Sequence, residues 1–255
     1  MDWKTHRVSS AGVELAVHVA GEGVPVLLIH GFPDDHTVWE YQFAALVEAG
    51  YRVIAPDTRG CGQSEIPADL AGYRIDLLVA DMVAVLDQFG IEKAALVAHD
   101  WGAMIAWRLV IAHPERFERY AALSVGHPSS LGSGGFRQML KSYYIFLFQL
   151  RGIGEWLLRG RNWRMVRAMS KTPAEAEETI ARLSRPGRLT AAIDYYRANL
   201  RMFGERDVPK CTGMPILGIA SDGDPYITDK PLRETGRYVE GPYRFEVIHG
   251  AGHWL

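Results

Sequence analysis

Leu96-Val97-Ala98-His99-Asp100-Trp101-Gly102-Ala103 joins an apolar run, Ala94 to Val97, to a segment of helical character, Ala103 to Ala112. A carboxylate stands at the join, and the residues two positions to either side of it, Ala98 and Gly102, are small. A sharp strand-to-helix turn brings backbone segments together and leaves no room for bulk at those two places. It also lifts one side chain out of the sheet, here that of Asp100. A carboxylate so presented can act as a nucleophile, forming an ester that water must later cleave. The competing reading makes Asp100 the cap of the following helix, since Asp is a preferred N-cap.

Working outward, the chain alternates. His6 to Ser10 and Val13 to Val19 flank Ala11-Gly12, a hairpin signal. Val24 to Ile29 is a continuous apolar run of the kind buried on both faces, and it ends in His30-Gly31-Phe32-Pro33-Asp34. A helix is expected from about Thr37 to Ala49. Tyr51 to Pro56 is a further strand, ending in Asp57-Thr58-Arg59-Gly60-Cys61-Gly62-Gln63-Ser64. Those glycines lack the third glycine and following helix of a dinucleotide site, so they are read as shaping a tight loop. Leu78, Val79, Met82, Val83, Leu86 and Phe89 fall at helical spacing, and Gly90 stops that helix. Tyr120 to Val125 is another strand. Such alternation implies α/β architecture: a mostly parallel central sheet with helices on both faces.

The pattern breaks after His127-Pro128. Ser129 to Gly135 reads as a flexible polar connection, and Phe136 to Phe203 carries helical periodicity without a strand. Alternation resumes with Met214 to Ala220 and closes with Tyr243 to Ile248. The division expected is a first core part (1–128), an inserted helical cap (129–205) and a second core part (206–255). Arg151, Arg159, Arg161, Arg164 and Arg167 in the cap are read as a solvated face, with an acidic partner as the alternative.

The 255 residues are 48% apolar, enough for a sizeable core, and with a net charge of −2 nothing global suggests nucleic acid or an anionic membrane as partner. The N-terminus is too charged for a signal peptide, and the longest apolar stretch, Tyr143 to Leu150, is too short to span a bilayer. Cys61 and Cys211 are read as free thiols in a reducing, cytoplasmic compartment. No cluster suggests a metal or cofactor.

Three segments past strand ends carry the chemistry: Asp100, then Ser221-Asp222-Gly223-Asp224-Pro225, then His249-Gly250-Ala251-Gly252-His253-Trp254. Nucleophile, acid, histidine is the chain order of α/β hydrolases. The whole chain resembles the α/β-hydrolase epoxide hydrolases, relatives of the haloalkane dehalogenases. His30-Gly31-Phe32-Pro33, Asp57-x-Arg59-Gly60-x-Gly62-x-Ser64, His99-Asp100-Trp101-Gly102 and Gly252-His253-Trp254 carry the resemblance, with Ala98 where the family often has glycine. It implies an α/β-hydrolase fold and a small-molecule epoxide as partner of water in the reaction. Asp100 is the implied nucleophile, His253 the base and Asp224 its orienting acid, in preference to His249 and Asp222. The Phe32 and Trp101 N–H groups form the implied oxyanion hole, and their side chains wall the substrate pocket. Tyr144 and Tyr196 match the family's two cap tyrosines better than Tyr143 and Tyr195. His30 and His99 are expected to pack loops.

Two rival readings remain at this level: a haloalkane dehalogenase with the same nucleophile, and a noncatalytic ligand-binding relative. Oligomeric state is open, with a homodimer through the cap the assembly considered. The family continues through a final helix, so a sequence ending at Leu255 is expected to be truncated and to leave apolar sheet surface exposed.

Overall fold

The computed structural model describes residues 3–170, 172–211 and 213–255. Among them are the strands β1 (Lys4–Ser10), β2 (Val13–Ala20), β3 (Val24–Ile29), β4 (Tyr51–Pro56), β5 (Ala94–His99), β6 (Phe117–Leu123), β7 (Ile216–Ser221) and β8 (Tyr243–Ile248). They form one sheet in the order β1-β2-β4-β3-β5-β6-β7-β8. β2 pairs antiparallel with β1 and β4; every pairing from β4 to β8 is parallel. The β1–β2 turn places Ala11 and Gly12 both at positive φ, the backbone that a two-residue hairpin needs to match strand twist.

Helices α1 (Glu40–Glu48), α2 (Ile75–Gln88) and α3 (Trp101–Ala112) follow strands of the first part. Because successive side chains of a strand point to opposite faces, β3 sends Leu27 and Ile29 into the cluster with α2 and α3. It sends Val26 and Leu28 into the cluster with Trp39 and Phe43. Both faces of the central strands are therefore dry, which is why β3 reads as a continuous apolar run. α3 lies deepest: Trp107 is fully buried, and its indole N–H donates to the Val125 carbonyl at 2.9 Å.

Between β6 and β7 lie α4 (Gly135–Lys141), α5 (Tyr143–Gln149), α6 (Ile153–Met169, kinked at 160–163), α7 (Pro173–Ser184) and α8 (Arg188–Ala198). α9 (Asp229–Glu234), one short helix between β7 and β8, has too few residues for a legible period. One expectation is corrected here. The Ser129–Gly135 stretch is no flexible connection: Pro128–Gly134 is a 3-10 turn with Ser129 and Ser130 buried. Ser130 Oγ donates to the His127 carbonyl at 2.6 Å, and Ser129 Oγ accepts from the Val208 N–H at 3.0 Å. Small hydroxyls satisfy buried backbone locally, so polarity there did not signal exposure. Cys61 and Cys211 are free, and no described helix is long and apolar enough to cross a membrane.

Candidate active site

β5 runs into α3 through one residue. Asp100 has φ 52° and ψ −120°, a conformation that costs a non-glycine residue about 1–3 kcal/mol and persists only when its surroundings enforce it. Gly102 is part of that enforcement. A Cβ there would lie 2.1 Å from the Ile29 carbonyl oxygen, so any side chain would drive α3 off the end of β3. The cap reading of Asp100 fails, because its carboxylate makes no capping bond to α3. Instead Oδ1 accepts from the Phe32 N–H at 2.8 Å, across from the β3 loop. The Trp101 N–H lies in the first turn of α3, where N–H groups have no intrahelical acceptor.

His253, on the loop after β8, brings two carboxylates together. Its Nδ1 lies 2.7 Å from Asp224 Oδ2, and its Nε2 lies 3.5 Å from Asp100 Oδ2. Asp224 is fixed through Oδ1, which accepts from the Tyr226 N–H at 2.7 Å and the Ile227 N–H at 2.9 Å. The sequence rivals pair elsewhere: His249 Nδ1 meets Asp222 Oδ2 at 2.8 Å, with both side chains well exposed. His99 holds the histidine's backbone, its Nε2–H donating to the His253 carbonyl at 2.9 Å. His30 is equally structural, accepting from the Thr58 N–H at 3.0 Å.

Burial by itself would lower the His253 pKa, but the hydrogen bonds and charges of Asp100 and Asp224 outweigh it and push the imidazole up to about 10. Burial would raise Asp100, and its pairing with His253 outweighs that, holding it below the ordinary carboxylate range. The resting site is an imidazolium between two carboxylates. His99, desolvated and beside that cation, is pushed down to about 4 and is neutral.

This charge state has a consequence for stability. A group whose folded pKa is raised contributes stability that is complete below its unfolded pKa, 6.5 for histidine, and drains as pH rises through about 10. The depressed carboxylates act oppositely: their contribution is present at neutral pH and lost as pH falls through their folded values. The thermal-midpoint gap between wild type and His253→Gln is therefore expected to shrink steadily from pH 7 to pH 10. Melting curves at stepped pH would read it, and a gap that stayed constant would contradict the paired imidazolium.

α5 and α8 supply the other wall. Tyr144 on α5 and Tyr196 on α8 meet edge-to-face, ring centroids 5.9 Å apart. Burial and the nearby Asp100 charge keep the Tyr144 phenol protonated, and burial with the neighbouring Tyr144 does the same for Tyr196, so both are O–H donors. Their sequence neighbours are placed elsewhere. Tyr143 is 56% exposed, and the Tyr195 hydroxyl is committed to the Arg59 carbonyl at 2.7 Å.

Phe32, Asp100, Tyr144, Tyr196, Tyr226 and His253, with Met169 and Trp254, line a small void of about 20 Å³, room for a single water. Asp100, Tyr144 and Tyr196 also border a 250 Å³ pocket whose walls include Trp101, Met104, Leu131 and Phe203. On the other side Tyr144, Tyr226 and Met169 adjoin a 350 Å³ cleft with Phe148 and Met165. A 330 Å³ groove past His99 and Trp254 touches neither Asp100 nor His253. Tyr226 and Met169 were not legible as wall residues; the one signal for Tyr226 is its place two residues after Asp224.

Sequence reading also left Asp57 without a role. Its carboxylate accepts from His18 Nε2 (3.2 Å), His36 Nδ1 (2.7 Å), the His36 N–H (3.0 Å) and the Gln63 N–H (2.7 Å). Four donors fill four acceptor sites, so this cluster, although its three side chains lie within metal-ligand reach, ties loops together. A Cβ on Gly62 would meet Asp57 Oδ2 at 2.1 Å, which is why glycine stands there.

Comparison with known proteins agrees with this architecture. A family profile described as the alpha/beta hydrolase fold matches residues 24–255. The chain belongs to the α/β-hydrolase fold family, in its epoxide-hydrolase branch. It is 34% identical to epoxide hydrolase A of Mycobacterium tuberculosis, over 97% of this chain and 91% of the relative. It is 35% identical to the AB hydrolase superfamily protein YfhM of Bacillus subtilis, over 99% of this chain and 92% of the relative. The crystal structure of epoxide hydrolase A from Mycobacterium thermoresistibile superposes with a TM-score of 0.86 at 31% identity, covering 100% of this chain and 93% of that one.

Proposed function

We propose that this protein hydrolyses epoxides to vicinal diols through a covalent ester on Asp100, with residues 129–205 acting as a cap over a core made of 1–128 and 206–255. The observation that carries the reading is one void bordered by a carboxylate on a forced turn, two neutral phenols opposite it and a histidine bridging two acids. An epoxide is strained, but its leaving oxygen is a poor alkoxide unless hydrogen bonds meet it. Asp100 Oδ2 attacks a ring carbon while the Tyr144 and Tyr196 hydroxyls donate to the departing oxygen. Ester formation removes the Asp100 charge, one of the two that hold the His253 proton. That proton goes to the alkoxide, leaving a hydroxyalkyl ester and a neutral imidazole.

Neutral His253, oriented by Asp224, then takes a proton from water as the water oxygen attacks the Asp100 carbonyl carbon. The Phe32 N–H already bonds this carboxylate, and with the Trp101 N–H it would hold the oxyanion. Collapse releases the diol and restores carboxylate and imidazolium. The sum is epoxide plus water giving diol. No cofactor enters this scheme.

The test is an assay of diol from an aryl epoxide beside halide from a short haloalkane. Diol without halide is the expected result; halide alone would overturn the epoxide reading and leave the nucleophile intact. Tyr144→Phe and Tyr196→Phe are each expected to lower the ester-forming rate by about 10²-fold, since each removes one donor to the developing oxyanion, and the double variant by more. Single-turnover rates read this directly. Unchanged ester formation in the double variant would show that the phenols are packing residues.

A further inference from the structure

We propose that the cap docks this protein on the surface of an anionic lipid bilayer, with the apolar faces of α4, α5 and the start of α6 against the lipid. Large apolar side chains stay exposed along those three helices: Phe136 (67%), Met139, Leu140, Tyr143, Phe146 (62%), Leu150, Ile153 and Trp156 (69%). They recur every three or four residues, so they fall on one side of each helix. A stripe of this kind left in water marks an interaction surface. The stripe lies at the cavity mouths as well: Met139 and Phe146 border the 250 Å³ pocket, and Leu140 and Tyr143 border the 350 Å³ cleft.

The charge beside the stripe selects the occupant. From residue 136 to residue 171 the sequence holds eight Lys and Arg against one acid, Glu155, in a chain whose net charge is −2. That acid is taken internally, by both terminal nitrogens of Arg197. Arg167 pairs with Glu177. Arg137, Arg151, Arg159, Arg161 and Arg164 are exposed and have no ion-pair partner among the described residues. Arg137 adjoins Phe136, Arg151 adjoins Leu150, and Arg159 follows Trp156 by one turn.

A second copy of the chain fits this surface poorly. A two-fold interface sets a patch against a copy of itself and would bring two net-positive surfaces together. An anionic headgroup layer meets the cations, and the acyl boundary beneath it takes the aromatic and aliphatic side chains. This is the division found in interfacial helices, with Trp at headgroup depth. Docked so, the cavity mouths would face the phase into which apolar molecules partition. The whole-chain net charge hides the feature because the acids lie in the rest of the chain.

The proposal is independent of the chemistry at Asp100, because binding is read without turnover. The full chain is floated with vesicles of phosphatidylcholine and phosphatidylglycerol, about 3:1, and with vesicles of phosphatidylcholine alone. Binding to the anionic vesicles is expected, weakened by about 0.5 M salt. Arg151→Gln/Arg159→Gln is expected to lower the partition coefficient about tenfold or more, and Trp156→Ser roughly tenfold. None of these residues lines the void, pocket or cleft described around Asp100, so hydrolysis of a water-soluble epoxide in vesicle-free buffer should be unchanged and reports intact folding. Absence of binding to the anionic vesicles would overturn the proposal. So would binding that neither variant weakens, or self-association, lost in Trp156→Ser, as the sole behaviour of the stripe.

Discussion

Asp100→Ala is expected to lower diol formation by about 10⁴- to 10⁶-fold, the scale on which enzymes lose activity when a covalent nucleophile is removed. Among the described residues that line the void, Asp100 is the one carboxylate. Asp224 is turned away, its oxygens held by His253 and the N–H groups of Tyr226 and Ile227. The phenols of Tyr144 and Tyr196 are held neutral by burial. The substitution shortens a side chain without widening the turn, and the turn is enforced by the close packing of Gly102 on β3 and not by the carboxylate alone, so the fold should survive. It also removes one of the two charges that raise His253, so the imidazole should titrate below its wild-type position near 10. Product assays beside circular dichroism and an imidazole titration would separate lost chemistry from lost structure. Diol formation that persisted at a tenth of wild type or above would remove Asp100 from the reaction.

His253→Gln is expected to stop the reaction halfway. Glutamine retains a hydrogen-bonding group for Asp224 but cannot take a proton from water, so the ester on Asp100 should form and then persist. Steady-state turnover should fall by about 10³-fold or more. One equivalent of epoxide should be consumed in a burst, and the intact protein mass should rise by the mass of the epoxide. Ester formation should itself be slower, because the imidazolium proton that neutralises the alkoxide is gone. Proteolysis of the trapped species would place the added mass on the peptide containing Asp100. Full consumption of epoxide without any adduct would mean that water attacks the ring directly, with the carboxylate serving as a base.

Much of this protein was legible before folding because the deciding signals are local. β3, β5 and the Ala11-Gly12 hairpin follow from apolar runs and turn residues a few positions apart. The elbow follows from two small residues around one acid. Even the chain order of Asp100, Asp224 and His253 needs only strand ends to be located. The Ser129–Gly135 turn was misread because a hydroxyl that satisfies buried backbone resembles one that faces water. The part Asp57 plays carries no local signal, because its donors, His18, His36 and Gln63, come from three separate segments.

The sequence by itself determined the alternation of strand and helix, the placing of Asp100 at a forced turn and the candidates for its partners, because each rests on periodicity or sterics within about ten residues. Motif context already favoured Asp224 over Asp222 and Tyr144 and Tyr196 over Tyr143 and Tyr195, but only the tertiary structure supplied the contacts: Asp224 at His253, Asp222 at His249, and Tyr144 and Tyr196 at the void while Tyr195 bonds Arg59. It alone left Arg137, Arg151, Arg159, Arg161 and Arg164 without an ion-pair partner among the described residues, while Arg167 and Arg197 found acids. The physical reason is range. Adjacent residues on a short, apolar helix such as α5 differ by about 100° in direction, and only the neighbour brought in from a distant part of the chain settles which of them is buried, paired or free.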